Sequence, residues 1–258
     1  MGFPELSLEG RTAVVIGGCT GLGRVLSLGL ARAGANVVAT SRREAEVNAT
    51  ADEVVALGKR TLRLCTDVTQ RQSIEKLLAE CVASFGKIDI LVNSQGRIKR
   101  TPTLDVSEEE FVGILDTNLV GTLRACQVFG RHMLENGYGR IINLCSLTTF
   151  VAFHEVAAYG ASKAAIGALT QSLAIEWGPR GVNVNGIAPG VFRTPLNQAL
   201  LDGTPRGQEL LARTPLRRFG KLEEVAGTGV FLASEAASFV NGQVITVDGG
   251  FLASGVNQ

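Results

Sequence analysis

Residues 12–24 read T-A-V-V-I-G-G-C-T-G-L-G-R, and this stretch decides the fold. Its first half is an apolar, β-branched run of strand length. Its second half places Gly17, Gly21 and Gly23 in the spacing G-x-x-x-G-x-G, with Cys19, Thr20 and Leu22 between them. Glycines permit a tight turn and let backbone come close to a pyrophosphate. A helix starting there presents free N–H groups to phosphates. Strand, glycine turn and helix in that order predict a dinucleotide-binding start. A glycine turn alone is common, so the rest of the chain has to support that reading.

Six further apolar runs of strand length follow, at 36–40, 61–65, 88–93, 140–145, 182–188 and 243–247. Several are nearly continuous in Val and Ile, as strands covered on both faces should be. Helix-length segments separate most of them. This alternation predicts an α/β protein: one doubly wound, Rossmann-type domain over 1–258, with about seven parallel strands and helices on both faces. One irregular stretch, about 191–221, holds three prolines and follows a strand's C-terminal end. Open α/β sheets bind ligands there, so it is the expected substrate loop.

Composition narrows the function. The chain has 258 residues, 45% of them hydrophobic, and a formal net charge of +1. That balance gives no case for nucleic acid or an anionic membrane as a partner. No apolar run approaches the ~18 residues a spanning helix needs. The N-terminus, M-G-F-P-E-L-S-L-E-G, does not read as a signal peptide. The five cysteines (19, 65, 81, 126 and 145) have no metal-ligand spacing. The expectation is a reduced, cytoplasmic protein without a metal.

After the second strand come Ser41, Arg42 and Arg43, where an NAD enzyme usually places an Asp or Glu for the ribose hydroxyls. A hydroxyl and a guanidinium suit a 2′-phosphate instead. NADP(H) is therefore expected over NAD(H), with NAD possible. The plainer reading makes Arg42 a cap on a solvated helix start.

The segment Ala157–Trp177 reads as a helix, with Tyr159 and Lys163 four apart on one face. A nearby ammonium can lower a phenol's pKa and make it a usable proton donor or acceptor. Ser146 lies 13 residues before the tyrosine. Alone, Y-x-x-x-K is most often a surface pair.

Together these residues resemble the short-chain dehydrogenase/reductase family over essentially the whole chain. The family's glycine motif appears as I-G-G-C-T-G-L-G, and its catalytic set falls on Asn118, Ser146, Tyr159 and Lys163. Asp67 and Val68 match its adenine-binding pair, and A-P-G-V-F-R-T-P (188–195) matches its post-strand motif. Asn93 and Gly96 keep the turn after the fourth expected strand. There N-S-Q-G replaces the usual N-N-A-G, and Ile16 replaces the usual threonine before the first glycine. The resemblance implies that Pro189, Gly190, Val191 and Thr194 surround the nicotinamide. It implies that Tyr159 exchanges the proton and Ser146 holds the substrate oxygen. Lys163 lowers the tyrosine pKa and holds the ribose, and Asn118 supports a proton-relaying water. A homotetramer is also implied.

Within the family, the chain is most similar to the sugar-acid dehydrogenases, in G-R-I-K-R (96–100) and I-I-N-L-C-S (141–146). Gluconate and 5-ketogluconate are the implied substrate pair. Arg97, Lys99, Arg100 and Arg193 are candidate partners for an anionic substrate, Arg100 foremost; solvated surface cations are the plainer meaning. Phe150, Phe153, His154 and Phe192 flank the catalytic segment. They can instead wall a pocket for an apolar ketone (3-oxoacyl, aromatic or terpenoid), and His154 is also a candidate for a substrate hydroxyl. A nucleotide-binding regulator without turnover is the remaining alternative.

Overall fold

The computed structural model describes residues 3–194 and 197–255, so Pro195 and Leu196 of the expected substrate loop lie outside the described residues. Among the described residues, six strands form one parallel sheet: β1 (Thr12–Ile16), β2 (Asn36–Thr40), β3 (Ile90–Asn93), β4 (Gly139–Leu144), β5 (Val182–Pro189) and β6 (Val244–Val247). Their spatial order is β2-β1-β3-β4-β5-β6. Ile16 stands opposite both Thr40 and Asn93, so the strand ends align where the order reverses. That switch point opens a crevice at the C-terminal ends of β1 and β3.

Alternate strand residues serve opposite faces, as the period of two requires. Val15, Val92 and Ile142 join Leu26 and Leu30 of α1 (Gly21–Arg32) and Leu232 in one core layer. Val14, Leu91 and Ile141 join Leu77, Phe129 and Leu173 in the other. Those three side chains come from α3 (Arg71–Phe85), α5 (Gly121–Glu135) and α6 (Ala157–Trp177). Helix α2 (Glu44–Ala56) follows β2, and α4 (Glu108–Leu115) precedes α5. Burying each Leu or Phe contributes about 1.5–3 kcal/mol, which holds both layers against the sheet.

The seventh expected strand, 61–65, is not one. The segment lies beside β2, and Val37 N–H donates to the Arg60 carbonyl while Thr66 N–H donates to the Ser41 carbonyl. Between these two points there is no ladder. The Thr40 hydroxyl donates to the Leu64 carbonyl at 2.6 Å, taking an acceptor that a strand would give to backbone. Arg63 turns outward to Asp52 and to the Asn48 carbonyl.

The 191–221 stretch is also more ordered than its prolines suggest. It contains α7 (Gln198–Leu201) and α8 (Pro205–Ala212). Thr204 caps α8 by accepting from Gly207 N–H at 3.0 Å, and Pro205 takes the first turn, where no N–H is needed. The last helix, α9 (Ala226–Ala233), packs against α1.

Candidate active site

The glycine turn closes on the loop after β3. Gly17 has φ +74°, and a Cβ there would stand 2.6 Å from the Gln95 nitrogen. A Cβ on Gly23 would stand 2.0 Å from the Gly17 carbonyl oxygen. Side chains at either position are excluded, which leaves a bare backbone cradle. Thr20 occupies the N-cap of α1 with extended backbone and makes no side-chain cap bond. The first N–H groups of α1 therefore remain available to an anion.

Two adjoining cavities run along this cradle. One, of about 340 Å³, is lined by Gly17, Thr20, Leu22 and Gly23, by Ser146, Tyr159 and Lys163, and by Pro189, Gly190 and Thr194. The other, of about 390 Å³, is lined by Ser41, Arg42, Asp67 and Val68 among others. Both include Gly96. A cradle without Cβ atoms between two such cavities fits an extended dinucleotide.

The catalytic candidates come together from three elements. Ser146 ends β4's exit loop, and its Oγ accepts from Thr148 N–H at 3.1 Å. Tyr159 and Lys163 lie on the first turns of α6, with Lys163 Nζ 5.7 Å from the tyrosine ring centre. Lys163 is buried, and its ammonium donates to the Leu144 carbonyl at 2.5 Å. The Thr149 hydroxyl donates to the Lys163 carbonyl at 3.1 Å, tying the serine loop to α6. Burial draws Lys163 down to about 8. Burial also pushes the Tyr159 phenol above its usual value, and a hydrogen bond with Ser146 pulls it partly back. The expected lowering of the phenol by Lys163 is absent from these influences; desolvation drives both groups toward their neutral forms.

Asn118 sits in a single π-turn, Asp116–Val120, between α4 and α5. Such turns insert one residue and re-aim a side chain. Its Oδ1 accepts from Arg97 N–H at 2.8 Å, and its Nδ2 donates to the Arg97 carbonyl and to Ser162 Oγ, each at 3.0 Å. The side-chain amide thus clamps the loop after β3.

In the cavity lined by Ser41 and Arg42, burial would raise the Asp67 carboxyl. The N–H and hydroxyl of Thr69 and the Arg42 charge outweigh it and hold Asp67 below the usual range. Ser41 Oγ accepts from Arg43 N–H at 3.3 Å, and Arg43 pairs with Glu46. Arg42 is left facing the cavity.

Several expected contacts fall elsewhere. Cys19 packs against Ala39 and Val47 and lines neither cavity. Asn93 is buried and donates to Asn143 Oδ1 at 2.9 Å, so it holds β3 to β4. Val191 turns toward the cluster of Leu147, Leu201, Leu210 and Phe251. Gln95, in the place of the usual alanine, donates to Thr122 Oγ1 at 3.0 Å, and Ile16 is simply core. Among the substrate candidates, Arg100 pairs with Glu155 at 2.6 Å and Arg193 with Asp202, while Lys99 pairs with Glu110. His154 is 78% exposed, with Nδ1 3.6 Å from Glu155. Phe153 packs on Phe251, with ring centres 5.9 Å apart. Sequence reasoning missed Glu155, Thr149 and the Leu144 carbonyl. No motif marks a backbone carbonyl, and nothing in the sequence shows that Glu155 adopts φ +63°.

A nucleotide cradle opening onto a serine, a tyrosine and a buried lysine defines a nicotinamide-dependent dehydrogenase acting on CH–OH groups. Residues 17–252 match the short-chain dehydrogenase model described as Enoyl-(Acyl carrier protein) reductase. The chain is 41% identical over 248 residues to 2-dehydro-3-deoxy-D-gluconate 5-dehydrogenase of Escherichia coli (strain K12), covering 96% of this chain and 97% of that one. It is 37% identical over 255 residues to gluconate 5-dehydrogenase of Gluconobacter oxydans (strain 621H), covering 98% and 100%. A gluconate 5-dehydrogenase from Burkholderia cenocepacia J2315, solved in complex with NADP and tartrate, superposes with a TM-score of 0.93 at 36% identity, over 97% of this chain and 98% of that one. The chain belongs to the short-chain dehydrogenase/reductase family.

Proposed function

We propose that this protein is an NADP-preferring dehydrogenase that interconverts a secondary alcohol and a ketone on a sugar acid, with gluconate and 5-ketogluconate as the first pair. One observation carries the chemistry: Ser146, Tyr159 and Lys163 line the same cavity as the glycine turn. When bound, the nicotinamide supplies or accepts the hydride. The Tyr159 phenol gives its proton to the substrate oxygen in reduction and takes it back in oxidation. Its raised pKa keeps it protonated at neutral pH, as a donor must be. The Ser146 hydroxyl steadies charge as it develops on that oxygen. Lys163, drawn down by burial to about 8, passes protons onward and holds the cofactor ribose. Asn118 fixes the loop that forms the far wall. Ser41 and Arg42 hold the 2′-phosphate; Asp67 and Val68 hold the adenine.

The sugar-acid assignment draws on the named substrates of the relatives and on Arg100. Glu155 engages Arg100 through Nε, which leaves the two terminal nitrogens for a carboxylate. A second reading has an observation of its own. The Phe153–Phe251 pair packs with Leu147, the residue after Ser146, in an apolar cluster, which suits an apolar ketone. The test measures turnover of purified protein with sugar acids, neutral sugars and apolar ketones, with both cofactors. Activity confined to apolar ketones removes the sugar-acid assignment and keeps the dehydrogenase.

A further inference from the structure

Arg97 stands at the seam of the two cavities. The residues they share are Gly17 and Thr20 of the glycine turn and the run 94–97. The first cavity alone reaches Tyr159 and Lys163; the second alone reaches Arg42 and Asp67. A dinucleotide extending from one to the other must lay its diphosphate along the shared residues. The start of α1 supplies N–H groups from one wall.

The opposite wall carries Arg97, whose main chain is fixed at both polar groups. Its N–H donates to Asn118 Oδ1 at 2.8 Å, and its carbonyl accepts from Asn118 Nδ2 at 3.0 Å. The guanidinium extends toward α4, with Nη1 3.6 Å from where a Cβ on Gly113 would stand. Lys99, Arg100 and Arg193 are each held by a carboxylate. Arg97 makes no ion pair among the described residues. Its charge does reach Glu110, where it is the weakest of the influences lowering that carboxyl, and Lys99 already occupies that group. A backbone fixed at the seam, bearing a guanidinium that makes no ion pair among the described residues, is placed to serve an anion that passes there.

We infer that Arg97 is a cofactor-binding residue whose guanidinium pairs with the diphosphate, across from the α1 N-terminus. This rests on reading the cleft as a dinucleotide site. Calorimetric titration of NADPH and of NADH, without substrate, into wild type, Arg97→Leu and Arg97→Lys tests it. Arg97→Leu should raise Kd about tenfold for both cofactors, with Arg97→Lys in between and the melting temperature unchanged. Losing NADPH affinity alone would mean that Arg97 reads the 2′-phosphate and would overturn the inference. So would unchanged Kd with a raised KM for a sugar acid, which would make Arg97 a substrate residue. Unchanged Kd and KM would leave a surface cation. Should Arg97→Leu fail to fold, Arg97→Lys decides: wild-type affinity for both cofactors at high as well as low salt would overturn the inference. Wild type that binds neither cofactor would instead overturn the dinucleotide reading itself.

Discussion

Arg100 donates from Nε to the Glu155 carboxylate at 2.6 Å. The adjacent Thr101 N–H donates to the Glu155 carbonyl at 2.9 Å. These two bonds fasten the segment after β3 to the segment entering α6, one helical turn ahead of Tyr159. Glu155 holds φ +63° to make them, a left-handed conformation uncommon for a residue with a side chain. The guanidinium is therefore held in place rather than free.

Arg100→Ala should raise KM for gluconate about tenfold, the equivalent of one lost charge-assisted contact. KM for a neutral sugar should change little. Steady-state kinetics on both substrates check this, and equal losses on the two would assign Arg100 a structural role.

Tyr159→Phe keeps the ring and removes the titrating hydroxyl. The expected result is a fall in kcat of at least ~10²-fold with cofactor affinity nearly intact. Retained turnover would sink the proposed proton transfer.

Wild type should prefer NADP(H), and Ser41→Asp with Arg42→Ala should reverse that preference. The double change removes the cation and adds a carboxylate that repels phosphate and accepts from ribose hydroxyls. Ratios of kcat/KM for the two cofactors, before and after, measure it.

Lys163 has a directional signature. Burial lowers its pKa from 10.5 to about 8. Between those pH values the unfolded chain binds more protons than the folded one, so stability rises with pH across that window. Below pH 8 the full cost of the buried charge, on the order of 3 kcal/mol, is present. Lys163→Met has no such group. Urea unfolding without cofactor should show wild type gaining on the variant from pH 8 to 10.5; a constant difference would contradict the shift.

A homotetramer, implied by the family resemblance, is the expected assembly. Val112 on α4, Ile175 on α6 and Phe239 ahead of β6 are large apolar side chains at least 60% exposed. Light scattering at micromolar concentration should give four subunits, and a monodisperse monomer would contradict it.

The glycine turn, the alternating strands and the Ser146–Tyr159–Lys163 set were legible because each depends on local spacing. A β-branched run must bury, a glycine must turn, and residues four apart on a helix must share a face. The edge segment 61–65 misled for the same reason: its composition suits a strand, but the Thr40 hydroxyl takes a carbonyl the ladder would need. Prolines marked 191–221 as irregular, yet Pro205 begins a capped helix.

The amino-acid sequence by itself determined the sheet class, the glycine turn and which side chains are the catalytic candidates. Tertiary structure alone decided how each candidate cation is held. Arg97, Arg100 and Arg193 are equivalent as letters. Arg100 and Arg193 are bound to Glu155 and Asp202, partners 55 and 9 residues away, while Asn118 holds the backbone of Arg97 at the seam of the cavities. A side chain's charge is local, but its availability depends on partners the fold brings to it.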